Sequence, residues 1–326
     1  MTIQITILGL GQVGASIGLA LAEKKDDILR VGNDREPDIT KKVQKMGAVD
    51  QTHYNLPAAV RNADIVLLCM PVDEIKQTLE AIAADLREGC VVIDTSPVKQ
   101  GVAEWARQLL PNDRHYLAMT PTLNPAYLHE FAVGSEAAHA DLFKNSLMII
   151  TSLPGANADA LKLTSDLAVL VGGTPFFADP DEIDGVMAAV HLLPQLLAAT
   201  LVDVTVNQPG WTEARKVAGR AYAHTTLPLL DMTESEYYGQ GALLNKVNTL
   251  RLLDTTIASL RAMREEIAEE DEKSLKDRIK AAVDARMKWQ AQREKADWEL
   301  AQTEPLPTSG EILGRLFGLG RKPKKK

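Results

Sequence analysis

Several things are scarce in this 326-residue chain, and each scarcity excludes something. Cysteine occurs twice, at Cys69 and Cys90, and both lie inside apolar runs, where a free thiol packs as a small hydrophobe. That usage suits a reducing cytoplasm. Aromatic residues make up only 5%. Basic residues are outnumbered, 36 Lys and Arg against 44 Asp and Glu, for a formal charge of -8. A surface that binds phosphate backbones needs a basic excess, so no nucleic acid partner is expected. Long apolar runs are missing as well: residues 65–72 rank among the longest and are far too short to cross a bilayer, which predicts no integral membrane segment. No charged stretch followed by an apolar one opens the chain, because Met1 leads straight into a strand candidate. No fixed-period repeat, no metal-ligand spacing of Cys, His and carboxylates, and no G-x-S-x-G nucleophile pattern is visible. The expectation is a cytoplasmic protein with no metal.

What is present is organised around residues 3–18, I-Q-I-T-I-L-G-L-G-Q-V-G-A-S-I-G. A short apolar run breaks at Gly9-Leu10-Gly11-Gln12-Val13-Gly14, and a helical pattern follows at once. In such a strand–turn–helix the first glycine permits the sharp turn, the second lets the backbone approach a pyrophosphate, and the third lets helix and strand pack closely. The helix N-terminus then presents its N–H groups and positive dipole end to the phosphates. A second apolar run, residues 28–33, ends in Asp34, twenty residues after Gly14, where a carboxylate accepts both ribose hydroxyls of a dinucleotide. Asp34 would also repel the extra phosphate of NADP, so NAD is the expected cofactor. Arg35 directly after it is able to pair with a 2'-phosphate and leaves NADP open.

Strand and helix patterns alternate onward. Residues 63–72, 90–94, 115–119, 147–151 and 176–178 read as strands, and the continuous apolar runs among them suit strands buried on both faces. Ligands in such sheets bind at the carboxyl ends of the strands, so Gly9–Gly14, Asp34, Met70, Pro71, Val72 and residues 94–97, with Thr95, should converge on one crevice. From Pro180 strands give way to helical periodicity over residues 181–206, 212–223 and 234–267. The predicted architecture is α/β: a Rossmann-type doubly wound parallel sheet over residues 1–178, an all-helical domain over 179–302, and a flexible basic tail over 303–326. In the last long helix Leu243, Val247, Leu250, Leu253, Ile257, Leu260, Met263 and Ile267 recur at spacings of three and four. Such an apolar face commonly packs against its own copy, which predicts a homodimer through the C-terminal helices. The tail sets Ile312, Leu313, Leu316, Phe317 and Leu319 ahead of a basic end, and a solvated terminus is expected there, with contact to an anionic membrane surface or a partner as the alternative.

Over residues 3–267 the chain resembles the prephenate and arogenate dehydrogenase family of tyrosine biosynthesis. The matching stretches are G-L-G-Q-V-G-A-S-I-G (9–18), A-D-I-V-L-L-C-M-P-V (63–72), V-I-D-T-S-P-V-K (92–99), A-D-L-F-K-N-S-L-M-I-I-T (140–151) and D-G-V-M-A-A-V-H-L-L-P-Q-L-L-A-A (184–199), with Thr225, Thr226 and Asn245. The resemblance implies a nucleotide domain, a helical dimerisation domain, and a reaction in which a ring carbon bearing a hydroxyl gives up hydride while carbon dioxide leaves. That chemistry asks for a group accepting a hydrogen bond or proton from the hydroxyl, and for cations that hold the substrate carboxylates.

The family's polar residues do not map directly. The histidine of its Gly-Gly-His-Pro-Met segment falls on Thr120, the serine of D-x-x-S-V-K falls on Pro97 with Ser96 one place early, and the arginine after the paired threonines is Leu227. The candidates for the catalytic role are therefore Thr120, Ser96, His191 and His224, and Arg215, Lys216 and Arg220 are candidates for carboxylate contacts. Two other readings stand beside this one. Asp94-Thr95-Ser96-Pro97 is also similar to the substrate strand of β-hydroxyacid dehydrogenases, although Asn245 and Lys246 are adjacent where those enzymes space the pair a turn apart. A non-catalytic dinucleotide-binding regulatory protein is the third.

Overall fold

The computed structural model describes residues 2–230, 235–296 and 298. The chain forms two compact units, one ending at Asp184 and the next beginning at Gly185. In the first, eight strands form one sheet: β1 (Ile3–Leu8), β2 (Ile28–Asn33), β3 (Gln51–Thr52), β4 (Ile65–Leu68), β5 (Val91–Asp94), β6 (His115–Pro121), β7 (Leu147–Thr151) and β8 (Thr174–Phe177). Their order is β3-β2-β1-β4-β5-β6-β7-β8. Helices α1 (Gln12–Ala20), α2 (Pro37–Lys45), α3 (Leu56–Val60), α4 (Val72–Ile82), α5 (Gln100–Leu109) and α6 (Ala158–Leu170) connect them. Ile5, Ile7, Ile65, Leu67 and Ile93 in the central strands are fully buried, as expected where helices cover both faces. The chain winds outward from β1 to β3 and then resumes beside β1 at β4, so the sheet has its topological switch point between β1 and β4.

The sheet is not wholly parallel. β7 runs antiparallel to β6, with Thr120 opposite Ile149, and β8 follows β7 in parallel. The connection between β6 and β7 holds two short 3-10 turns, Pro125–Tyr127 and Gly134–Ala137, where a parallel pair needs a crossover helix. Lacking it, the strand returns beside its neighbour.

Beyond the sheet come α7 (Pro180–Met187), α8 (Leu193–Val206), α9 (Trp211–Val217), α10 (Arg220–Thr226), α11 (Ser235–Leu244), α12 (Lys246–Ala268) and α13 (Glu272–Lys295). Three breaks depart from the sequence expectation. A π turn, Ala188–Leu192, separates α7 from α8, just before Pro194, whose ring admits no N–H into the helical ladder. The expected helix over 212–223 splits at Ala218-Gly219, which puts Arg215 and Lys216 on α9 and Arg220 on α10. The expected helix over 234–267 breaks at Asn245. The expectation about apolar length also needs correction. The helical run Pro180–Val206, 27 residues with a mean hydropathy of 1.7 over its most apolar window, is long and apolar enough to cross a membrane by length and composition. His191, Pro194 and Gln195 interrupt it in the sequence and hide it from a search for unbroken apolar residues.

Leu243 and Val247 of the apolar stripe are 74% and 80% exposed in the single chain, and Leu250, Ile257, Leu260 and Ile267 are exposed with them. The expected linker and basic tail at 303–326 lie outside the described residues.

Candidate functional site

At the switch point the glycines meet tight sterics. Gly9 has φ +89°, and a Cβ there would stand 2.3 Å from the Cys69 carbonyl oxygen. A Cβ on Gly14 would stand 2.0 Å from the Gly9 carbonyl oxygen, so α1 is pressed against the turn. Above Gly11 the space is open, with nothing within 4 Å of a built Cβ. Among the described residues no side chain caps the start of α1, which leaves its first N–H groups for an anion. The donor set and the open space fit a dinucleotide pyrophosphate.

Asp34 follows β2 and reaches across to this turn. Its Oδ2 accepts from the Leu10 N–H at 2.7 Å and its Oδ1 from the Glu36 N–H at 2.9 Å. Arg35 points instead to α4, where its guanidinium pairs with Glu74. Gln12 Nε2 donates to the Ala137 carbonyl at 3.1 Å, and the His139 N–H donates to Ser16 Oγ at 3.0 Å, so the β6–β7 connection lies along α1. Val13 is half-buried. Around the end of β4, Met70 Sδ accepts from Thr78 Oγ1 at 3.3 Å, Pro71 accepts from the Glu74 N–H at 3.1 Å, and Val72 is buried. Thr95 Oγ1 donates to the Leu68 carbonyl at 3.0 Å. Burial pushes the Cys69 thiol up to about 12, which keeps it protonated and inert.

The end of β5 holds a group that sequence reasoning passed over. Lys99 is 1% exposed, and its Nζ meets Asp94 Oδ2 at 3.2 Å. Asp94 also accepts from the Ser96 N–H at 2.8 Å, Ser96 Oγ at 3.0 Å and the Tyr116 hydroxyl at 3.4 Å. Burial lowers the Lys99 ammonium, with Asp94 opposing, and burial beside Asp94 raises the Tyr116 hydroxyl well above its usual range. Asp184 accepts from the Lys99 N–H at 2.6 Å and the Gln100 N–H at 3.0 Å, capping α5. Lysine in a sequence reads as solvent-facing. The available signal was its place between buried Val98 and a helix start.

The candidate hydroxyls are drawn into this cluster. Ser96 Oγ lies within hydrogen-bond distance of both Asp94 and the Val98 carbonyl, the latter at 3.1 Å. Thr120, 3% exposed, donates to the Ser96 carbonyl at 3.1 Å. The structure thus brings Ser96 and Thr120 together. His191 and His224 belong to the second compact unit. His224 is exposed on α10, and His191 is half-buried in the π turn. Arg215 donates to the Thr212 carbonyl at 3.4 Å and Lys216 pairs with Glu213 at 2.7 Å, both within α9.

Burial lowers His191 from 6.5 to about 4. The folded state then refuses a proton that the unfolded chain accepts, so its stability is full above pH 6.5 and declines as pH falls toward 4. At pH 4.5 the loss attributable to this group is about 2 kcal/mol. Denaturant unfolding of His191→Asn should show a correspondingly flatter acid limb, and curves of equal slope would refute the assignment.

Residues 17–175 match the family model described as prephenate dehydrogenase, nucleotide-binding domain, and residues 179–281 match prephenate dehydrogenase, dimerization domain. The chain is 26% identical over 287 residues to the cyclohexadienyl dehydrogenase of Zymomonas mobilis, covering 87% of this chain and 94% of that one. It is 26% identical over 286 residues to the prephenate dehydrogenase of Bacillus subtilis, 86% and 75% respectively. Among solved structures, the A. aeolicus prephenate dehydrogenase in complex with hydroxyphenyl propionate and NAD+ superposes with a TM-score of 0.75. It is 22% identical, with 88% of this chain and 98% of that chain covered. Synechocystis arogenate dehydrogenase gives 0.66 at 22% identity, covering 88% and 100%. With a glycine turn at the switch point, an acid after β2, and both halves of the chain matched in order, the chain belongs to the prephenate dehydrogenase family.

Proposed function

We propose that the protein is a cytoplasmic, NAD-dependent dehydrogenase that oxidises a cyclohexadienol carboxylate of the prephenate or arogenate class. The observation that carries the reading is Asp34, fixed by the Leu10 N–H against the glycine turn. In the proposed complex Gly9, Gly11, Gln12, Val13 and Gly14 bind the pyrophosphate through the start of α1, and Asp34 accepts the ribose hydroxyls. Met70, Pro71, Val72 and Thr95 line the strand ends. NAD, when bound, supplies the hydride acceptor. Residues 1–178 make the nucleotide domain and residues 179–302 the helical one, in which the exposed stripe from Leu243 to Ile267 seats a second copy.

The proton-handling candidates divide by chemistry. Ser96 and Thr120 are committed to Asp94 and to backbone carbonyls, so in this reading they shape the strand end. His191, held neutral by burial, and the exposed His224 remain the imidazole candidates for the proton-handling role. The commitment of Thr120 also favours a second reading, in which the chain binds the dinucleotide without chemistry. Absorbance of reduced cofactor, followed with NAD or NADP and with prephenate or arogenate in turn, separates the two. Reduction with either substrate supports the dehydrogenase. NAD binding with no turnover supports the second.

A further inference from the structure

The nucleotide reading leaves Arg35 unexplained, because an arginine next to the ribose acid is the usual partner of a 2'-phosphate. In this chain that guanidinium is already engaged. Its partner, Glu74, sits in the first turn of α4 beside Asp73. Asp34, pinned by the Leu10 and Glu36 N–H groups, precedes Arg35 directly. Asp73 adds a further carboxylate, whose Oδ1 is buried with no hydrogen-bond partner among the described residues. Asp73 and Asp34 both act on Glu74 as like charges, so the partner of Arg35 belongs to an acidic neighbourhood. Two of the three lysines of α2 have acidic partners of their own: Lys42 pairs with Glu136 at 2.8 Å and Lys41 approaches Asp38 at 3.6 Å.

We propose that Glu74 is a specificity-determining residue that holds the protein to NAD by occupying Arg35 and adding its charge to that of Asp34 where a 2'-phosphate would sit. The inference rests on the nucleotide reading above. Magnitudes show which part of the effect dominates. The Arg35–Glu74 pair is partly exposed, 55% and 30%, and such a pair holds its partner by only about 0–1 kcal/mol. A phosphate would displace Glu74 from Arg35 if it met no other resistance. What it meets is the displaced carboxylate itself, left beside an incoming group of charge about -2 and beside Asp34. Removing the Glu74 charge while keeping its shape should free the arginine and lift that repulsion together.

The test is isothermal titration of the full-length chain with NAD and with NADP, for the parent, Glu74→Gln, and Glu74→Gln combined with Arg35→Gln. The single variant should bind NADP about tenfold more tightly than the parent does, the gain of a charge-assisted hydrogen bond to phosphate. Its affinity for NAD should stay within about threefold, and the double variant should lose the NADP gain. A Glu74→Gln protein that binds NAD normally with an unchanged NADP-to-NAD ratio overturns this inference alone. A folded parent that binds neither nucleotide overturns the nucleotide reading and this inference with it.

Discussion

Replacing Lys99 by methionine is expected to lower the unfolding free energy by about 3–5 kcal/mol. Methionine fills nearly the same volume, so the cost is electrostatic: Asp94, fully buried, loses the ammonium that compensates it. The bonds from Ser96 and Tyr116 to Asp94 remain, and these dipoles offset only part of a buried carboxylate charge. Adding Asp94→Asn to the methionine variant should recover a large share of the loss, because a neutral amide needs no counter-ion and still accepts from Ser96. Denaturant midpoints of the three proteins decide it. A Lys99→Met protein within about 1 kcal/mol of the parent would mean that the pair is not carrying opposite charges in the folded state.

Asp34→Ala should weaken NAD binding about 100-fold, close to 3 kcal/mol. Two losses combine. The proposed bonds to the ribose hydroxyls disappear, and the glycine turn loses the acceptor that fixes the Leu10 N–H. Asp34→Asn separates them: its carbonyl oxygen can replace one acceptor, so it should fall between alanine and the parent in a titration with NAD. Equal affinity in all three proteins would remove Asp34 from the site.

The parts of this fold that were legible are those where one physical demand dominates. β4 and the start of β5 announce themselves as unbroken apolar runs because both faces of the sheet are covered, and the glycines announce the turn because other side chains would collide with Cys69 or Gly9. The breaks at Gly219 and Asn245 were hidden, since apolar spacing continues across a break in the helix axis. The reversal at β7 was hidden too: a strand's sequence records its burial and not its direction. At the site, Asp34 was legible from its distance to the glycines. Lys99 was not, because the partner that makes its burial tolerable, Asp94, lies five residues away on a strand whose pattern reads as plain core. The engagement of Thr120 with the Ser96 carbonyl likewise depends on β5 and β6 lying side by side.

The π turn at Ala188–Leu192 has a genetic corollary. A π turn carries an extra residue without extra advance, so that residue is absorbed locally and the helix after the turn keeps its phase with the helix before it. Gln195 and Ala198, the buried positions of α8, would therefore keep their orientation if a single codon in the turn were deleted, with the reading frame intact and ordinary helical pairing restored locally. The same deletion early in α8, where no bulge absorbs it, would turn every following side chain by about 100° about the axis. Two changes of identical size in the gene would thus differ in kind, one shortening a bulge and the other rewriting a helix face.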